Sequence, residues 1–125
     1  MTKVLISGSR SITELPLAAI ESINRIMELK FQIIIGDADG VDNLVQKYLR
    51  EKEYGRVHVF YAKFNGSGRS RNTNKFTAFG IKGNYSDRDK RMCEIADYGL
   101  AIWDGKSRGT KANIDRVPKT KVILV

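Results

Sequence analysis

The sequence predicts an α/β fold, a mainly parallel five-stranded sheet with helices on both faces. Three observations carry this expectation. Strand-like and helix-like segments alternate along the chain, the strand-like runs are continuously apolar, and the turns between them are short and rich in glycine. A strand covered on both faces reads as an unbroken apolar run, and successive parallel strands need a right-handed crossover, usually a helix.

The elements follow in order. Lys3 to Ser7 is a short aliphatic run ending at Gly8, a buried strand and a turn. Leu17, Ile20, Ile23 and Met27 recur at helical spacing after Thr13, the expected N-cap, with Pro16 tolerated in the first turn. Phe31 to Ile35 is the second strand. Val41, Leu44, Val45, Tyr48 and Leu49 fit the i, i+3, i+4, i+7, i+8 template of an amphipathic helix, which Gly55 stops. Val57 to Tyr61 is the third strand. From Ala62 to Asn84 the pattern fails, and a connection that long in a small domain is more often functional or mobile than decorative. Ser86 and Asp89 have capping-box spacing ahead of Met92, Ile95 and Ala96, and so mark a third helix. Leu100 to Trp103 is a fourth strand, Ser107 to Thr110 leads into a short helix carrying Ala112, Ile114 and Val117, and Lys121 to Val125 closes the sheet as the fifth.

The 125 residues are expected to form one domain, 1–125, with a basic, lid-like insertion at about 62–85. A lone Cys93 excludes an internal disulfide and lacks the Cys/His company of a zinc site, so a cytoplasmic setting is expected, with no structural metal. No apolar run is long enough to span a membrane, and the amino terminus lacks a signal-peptide pattern. The net charge of +8 is unevenly spread: residues 1–61 balance eight cations with eight anions, 62–91 carry eight against two, and 92–125 carry six against four. A basic block of this kind meets phosphate or is a solvated loop.

In parallel sheets, ligands bind beyond the carboxyl ends of the strands. Position alone therefore selects Gly8-Ser9-Arg10, the run Gly36-Asp37-Ala38-Asp39-Gly40-Val41-Asp42, the basic segment, and Asp104-Gly105-Lys106-Ser107-Arg108-Gly109-Thr110. Glycines let backbone N–H groups approach a ligand, helix N-termini favour anions, Ser9, Ser107 and Thr110 add hydroxyls, and Arg10 and Arg88 offer bidentate phosphate contacts. Glycine turns are also common after strands in any such fold, and neither GxGxxG nor GxxxxGK[ST] occurs. Asp37, Asp39 and Asp42 lack EF-hand spacing and read as caps or ribose-hydroxyl acceptors rather than metal ligands. His58 and Cys93 read as packed residues. Trp103 either caps the core or stacks on a base.

Taken together and in order, Gly8-Ser9-Arg10, Gly36-x-x-x-Gly40-Val41-Asp42, Arg88-x-x-x-Met92, Ala96-Asp97 and Trp103-Asp104-Gly105-x-Ser107-x-Gly109-Thr110 resemble the SLOG superfamily, named for the DNA-processing (Smf/DprA) and Lonely Guy proteins. The resemblance spans most of the chain. It implies a Rossmann-like fold and a nucleotide or nucleotide-derived ligand, which some members sense in bacterial conflict systems. It also implies a homo-oligomer, dimer or larger. By this similarity the ligand-binding residues are Gly8, Ser9, Arg10, Gly40, Asp42, Arg88, Gly105, Ser107, Gly109 and Thr110, and position at the strand ends adds Gly36, Asp39 and Trp103. Lonely Guy enzymes cleave the N-glycosidic bond of nucleoside monophosphates with an Arg on the third helix, matched by Arg88, and a Glu that is Asn113 here. A catalytic carboxylate would then come from Asp89 or Asp115.

Three functions are consistent with these residues. The first is a domain that senses or sequesters a nucleotide or an ADP-ribose/NAD-derived ligand, with no redox cofactor. The second is a nucleotide phosphoribohydrolase with a rearranged carboxylate, using Arg88 and Asp89. The third is a single-stranded nucleic-acid binder, with Arg69, Arg71, Lys75 and Lys82 on the backbone and Phe64, Phe76 and Phe79 stacking on bases, unless those rings merely anchor the segment.

Overall fold

Apolar residues that alternate between two helix-covered faces account for the architecture. Along β1 (Lys3–Gly8) and β2 (Gln32–Gly36), Val4, Ile6, Ile33 and Ile35 point to one face while Leu5 and Ile34 point to the other, and all six are buried. The first face packs on α1 (Leu17–Glu28) through Ala19 and Ile23, and on α2 (Val41–Glu51) through Val41, Val45 and Leu49. The second face packs on Met92 of α3 (Tyr85–Ile95) and on Val117, the residue that ends α4 (Arg108–Arg116). Each such fully buried aliphatic side chain contributes about 1.5–3 kcal/mol. The sheet is completed by β3 (Val57–Lys63), β4 (Thr77–Lys82), β5 (Tyr98–Trp103) and β6 (Thr120–Leu124).

The computed structural model describes residues 1–66 and 68–125. The strand order is β4-β3-β2-β1-β5-β6 and every pairing is parallel, so the chain steps outward from β1 in one direction and then returns to build the other side. This is a Rossmann-like α/β domain, and its order reverses beside β1. In such sheets the reversal opens a crevice between neighbouring strand ends.

Four expectations need correction. The sheet has six strands, not five, because β4 forms inside the segment 62–85, where the apolar pattern fails. That segment also holds a 3-10 turn, Phe64–Gly66, and includes Ser67, which lies outside the described residues. Helix α1 starts after Pro16 rather than Thr13, since Pro16 supplies extended backbone and its carbonyl accepts from Ala19 and Ile20. The capping box of α3 is Asn84 with Asp87, two residues before Ser86 and Asp89, with both reciprocal bonds made (3.0 and 2.9 Å). On α4 the side chains buried inward are Thr110 and Asn113 rather than Ala112 and Ile114.

Candidate functional site

The site begins with Asp37, directly after β2 and only 1% exposed. Its carboxylate accepts from Arg88 Nη1 (2.8 Å), from Arg71 Nη2 (3.0 Å) and from the Arg71 backbone N–H (2.8 Å). Burial pushes its pKa up, but the bonds and charge of Arg71, with Arg88 behind them, override this and hold the group below its ordinary value. Arg88 lies on the first turns of α3, 6% exposed, and reaches under the end of β3 to the Phe60 carbonyl (3.2 Å). Its Nε donates to Asp89 (2.8 Å). One buried guanidinium thus joins two carboxylates from different parts of the chain.

Asp42, in the first turn of α2, faces this group. Its Oδ2 accepts from the Ala38 N–H (3.1 Å), and burial raises its pKa to about 7 against the opposing pull of Arg88. Burial also raises Asp89, again opposed by Arg88. Gly36 is required where these groups meet, because a Cβ there would lie 2.7 Å from Asp42 Oδ2 and 2.8 Å from Arg88 Nη1. Gly40 is required for a different reason: its φ is +76°, and a Cβ would lie 2.5 Å from the Arg10 backbone.

The opposite wall comes from the turn after β5. Asp104 Oδ2 accepts from the Ser11 hydroxyl, and Oδ1 accepts from the backbone N–H groups of Ser107 and Lys106, which together hold its pKa well below the usual range. This turn aims the N-terminus of α4 back at the sheet, with Ser107 as its N-cap and Ser107 Oγ donating to Thr110 Oγ1 (3.2 Å). First-turn amides have no acceptor within their helix and favour an anion in front of them.

Between the walls lies a cavity of about 110 Å³. Its lining includes nine of the residues selected from the sequence: Gly8, Arg10, Gly36, Asp42, Arg88, Asp89, Ser107, Gly109 and Thr110. Ser7, Ala38, Met92 and Asn113 complete it. Five selected residues do not line it. Ser9 is fully buried beneath and accepts from the Asp104 N–H (3.0 Å). Gly40 packs on Ser9 and Arg10, and Gly105 takes a left-handed turn against Leu124. Asp39 is exposed and accepts from Asn72 (2.9 Å), while Trp103 donates through its indole N–H to the Ser107 carbonyl (2.9 Å). Of the two carboxylates considered for catalysis, Asp89 lines the cavity, whereas Asp115 is exposed and paired with Lys111.

The stretch 71–76 is pinned beside the site. Besides the Arg71–Asp37 pair, Gln46 is fully buried and donates to the carbonyls of Gly36 (2.9 Å) and Asn72 (3.0 Å), while its own carbonyl accepts from Asn74 (2.9 Å). Arg50 forks onto the Asn74 carbonyl and covers the ring of Phe76, which is buried. Gln46 and Arg71 carry no local sign of these roles, because their partners lie 26 and 34 residues away. Phe64 and Phe79 are exposed at 41% and 40%, each against another ring.

The fold and crevice define a Rossmann-like α/β domain with a small, half-open pocket of mixed polar and apolar lining at its topological switch. Compared with family models, curated proteins and solved structures, the chain matches none. Among the described residues, no helix is long and apolar enough to cross a membrane, and no cluster of three His, Cys, Asp or Glu could hold a metal ion.

Proposed function

We propose that the crevice binds a nucleotide or an ADP-ribose/NAD-derived ligand, which the protein senses or sequesters. One observation carries this reading: the two walls of the cavity have opposite chemistry. Arg10, the hydroxyls of Ser107 and Thr110, and the α4 N-terminus form a donor wall suited to phosphate. Asp42 and Asp89 form an acceptor wall suited to ribose hydroxyls. Ligand pockets for drug-sized molecules usually measure about 300–1,000 Å³. A half-open space of about 110 Å³ therefore holds one sugar or phosphate group, with the rest of the ligand lying across the mouth. The resemblance to the SLOG superfamily supports the same ligand class.

Calorimetric titration with AMP, ADP-ribose and NAD tests the reading. Arg10 is exposed and makes no side-chain bond among the described residues, so Arg10→Ala should weaken binding about tenfold without unfolding the protein. No binding of any of the three, or undiminished binding by the variant, would overturn it.

A second reading rests on Asp42. A buried carboxyl with a pKa of about 7 can give or take a proton at neutral pH, and it lies beside Arg88 and Asp89. This supports a nucleotide phosphoribohydrolase in which Asp42 or Asp89 stands in for the carboxylate missing at Asn113. Release of free base from nucleoside monophosphates, lost in Asp42→Asn or in Asp89→Asn, would favour the enzyme. Binding without turnover would favour the sensor.

A further inference from the structure

At the opposite end of the sheet from the crevice, a cavity of about 390 Å³ opens between α1 and the starts of β5 and β6. Ile26, Phe31, Val4, Tyr98 and Leu100 line it, and the rings of Phe31 and Tyr98 lie nearly parallel with centroids 6.5 Å apart. Its size falls in the usual range for small-molecule pockets, and its walls are apolar as such pockets require.

The placement of charge is what distinguishes it. Val59, Ile35, Ile6 and Leu100 stand side by side across β3, β2, β1 and β5, all buried, and the next residue in that row is Lys121 of β6. The neighbouring row runs Val57, Ile33, Val4, Tyr98, and Lys119 lies over the Tyr98 ring at 5.6 Å. One core row thus ends in Lys121 at the lip of an apolar cavity, and Lys119 lies over the ring that ends the other. Neither lysine makes an ion pair among the described residues, and Lys121 donates only to the Ser22 hydroxyl (2.9 Å). Arg25 is held by Glu28, and Glu21 is the carboxylate that lines the cavity beside the two lysines.

We propose that this groove is a second binding site, taking a soluble amphiphilic carboxylate whose medium-length apolar body lies on the Phe31–Tyr98 floor and whose head meets Lys119 and Lys121. Apolar burial supplies the affinity, and the two ammonium groups select an anionic head over a neutral one. The site stands apart from the proposed nucleotide crevice and does not depend on it.

Amide NMR titration of the whole chain with octanoate, with octanol as the neutral probe, tests it. Octanoate at up to about 10 mM should shift Tyr98, Leu100 and Lys121 and leave Gly8 and Gly109 in place. Octanol should bind about fivefold more weakly, and the Lys119→Glu/Lys121→Glu double variant should lose about tenfold for octanoate only. Both lysines are exposed, and the amide spectrum itself reports that the variant is folded. Shifts absent from the groove, shifts confined to the crevice, or equal binding of octanol and octanoate would overturn the proposal.

Discussion

Replacing Asp42 with asparagine should stabilise the protein, and only above acidic pH. The carboxyl is 6% exposed and faces Arg88 and Asp89 of α3 and Asp37 at the end of β2. Its pKa rises from 3.8 to about 7 on folding. At about 1.4 kcal/mol per unit, a shift of about three units amounts to about 4 kcal/mol. The sign follows from which state holds the proton more tightly. Below pH 4 both states are protonated and nothing is lost. Between about pH 4 and 7 the unfolded carboxyl ionises and the folded one does not, so folding loses stability steadily, and above pH 7 the loss is constant. Asparagine keeps an oxygen to accept the Ala38 N–H and cannot ionise. Urea denaturation of both proteins at pH 4, 6 and 8 should therefore show equal stability at pH 4 and an advantage for the variant of up to about 4 kcal/mol at pH 8. A variant weaker than wild type at pH 6 and 8, with a deficit that shrinks as the pH is lowered below 4, would mean that Arg88 holds Asp42 ionised, and the acceptor wall would then carry a fixed charge.

Other substitutions test the supports of the site. Arg71→Met removes two side-chain bonds to a buried carboxylate, leaving only the backbone N–H of residue 71 on it, and should cost about 2–3 kcal/mol in denaturant unfolding, with faster amide exchange around Asn72 and Asn74. Gly36→Ala drives a methyl group into Asp42 and into an Arg88 already fixed by Asp37 and Phe60, so it should cost about 1–3 kcal/mol and abolish the proposed nucleotide binding, read by denaturation and calorimetry. Gln46→Leu removes the donor to the Gly36 and Asn72 carbonyls and one of the two acceptors of the Asn74 amide, and a loss of about 2–4 kcal/mol in the urea midpoint analysis is expected.

What the sequence reveals of this molecule follows from where burial leaves a periodic signal. Ile33-Ile34-Ile35 and Val4-Leu5-Ile6 are legible because both faces of those strands are covered. Strand β4 is not legible, because as an edge strand it leaves every residue but Ile81 exposed, and no apolar run results. The α3 cap is ambiguous in sequence, since Asn84–Asp87 and Ser86–Asp89 share one spacing. The structure uses the earlier pair because Gly83, at φ +121°, turns the chain against the Asp87 side chain, and Asp89 is drawn to Arg88 instead. Glycines and hydroxyls at strand ends locate most of the cavity lining. The ties that orient Arg88 and stretch 71–76 span 51 and 34 residues and leave no local trace.

The support for the donor wall has one further consequence. Ser9 and Asp104, bonded across 95 residues of sequence, join the first strand turn to the last loop of the crevice. Contacts of such separation form late, after loop closure has been met by the rest of the sheet. A partly assembled chain therefore has no crevice, and a crevice ligand can recognise only the finished fold. Occupancy at about one hundred times the dissociation constant would add about 2.7 kcal/mol to global stability. Under the proposed function, a cell rich in the ligand would hold the protein folded, and one that has exhausted it would leave the chain closer to its unfolding threshold.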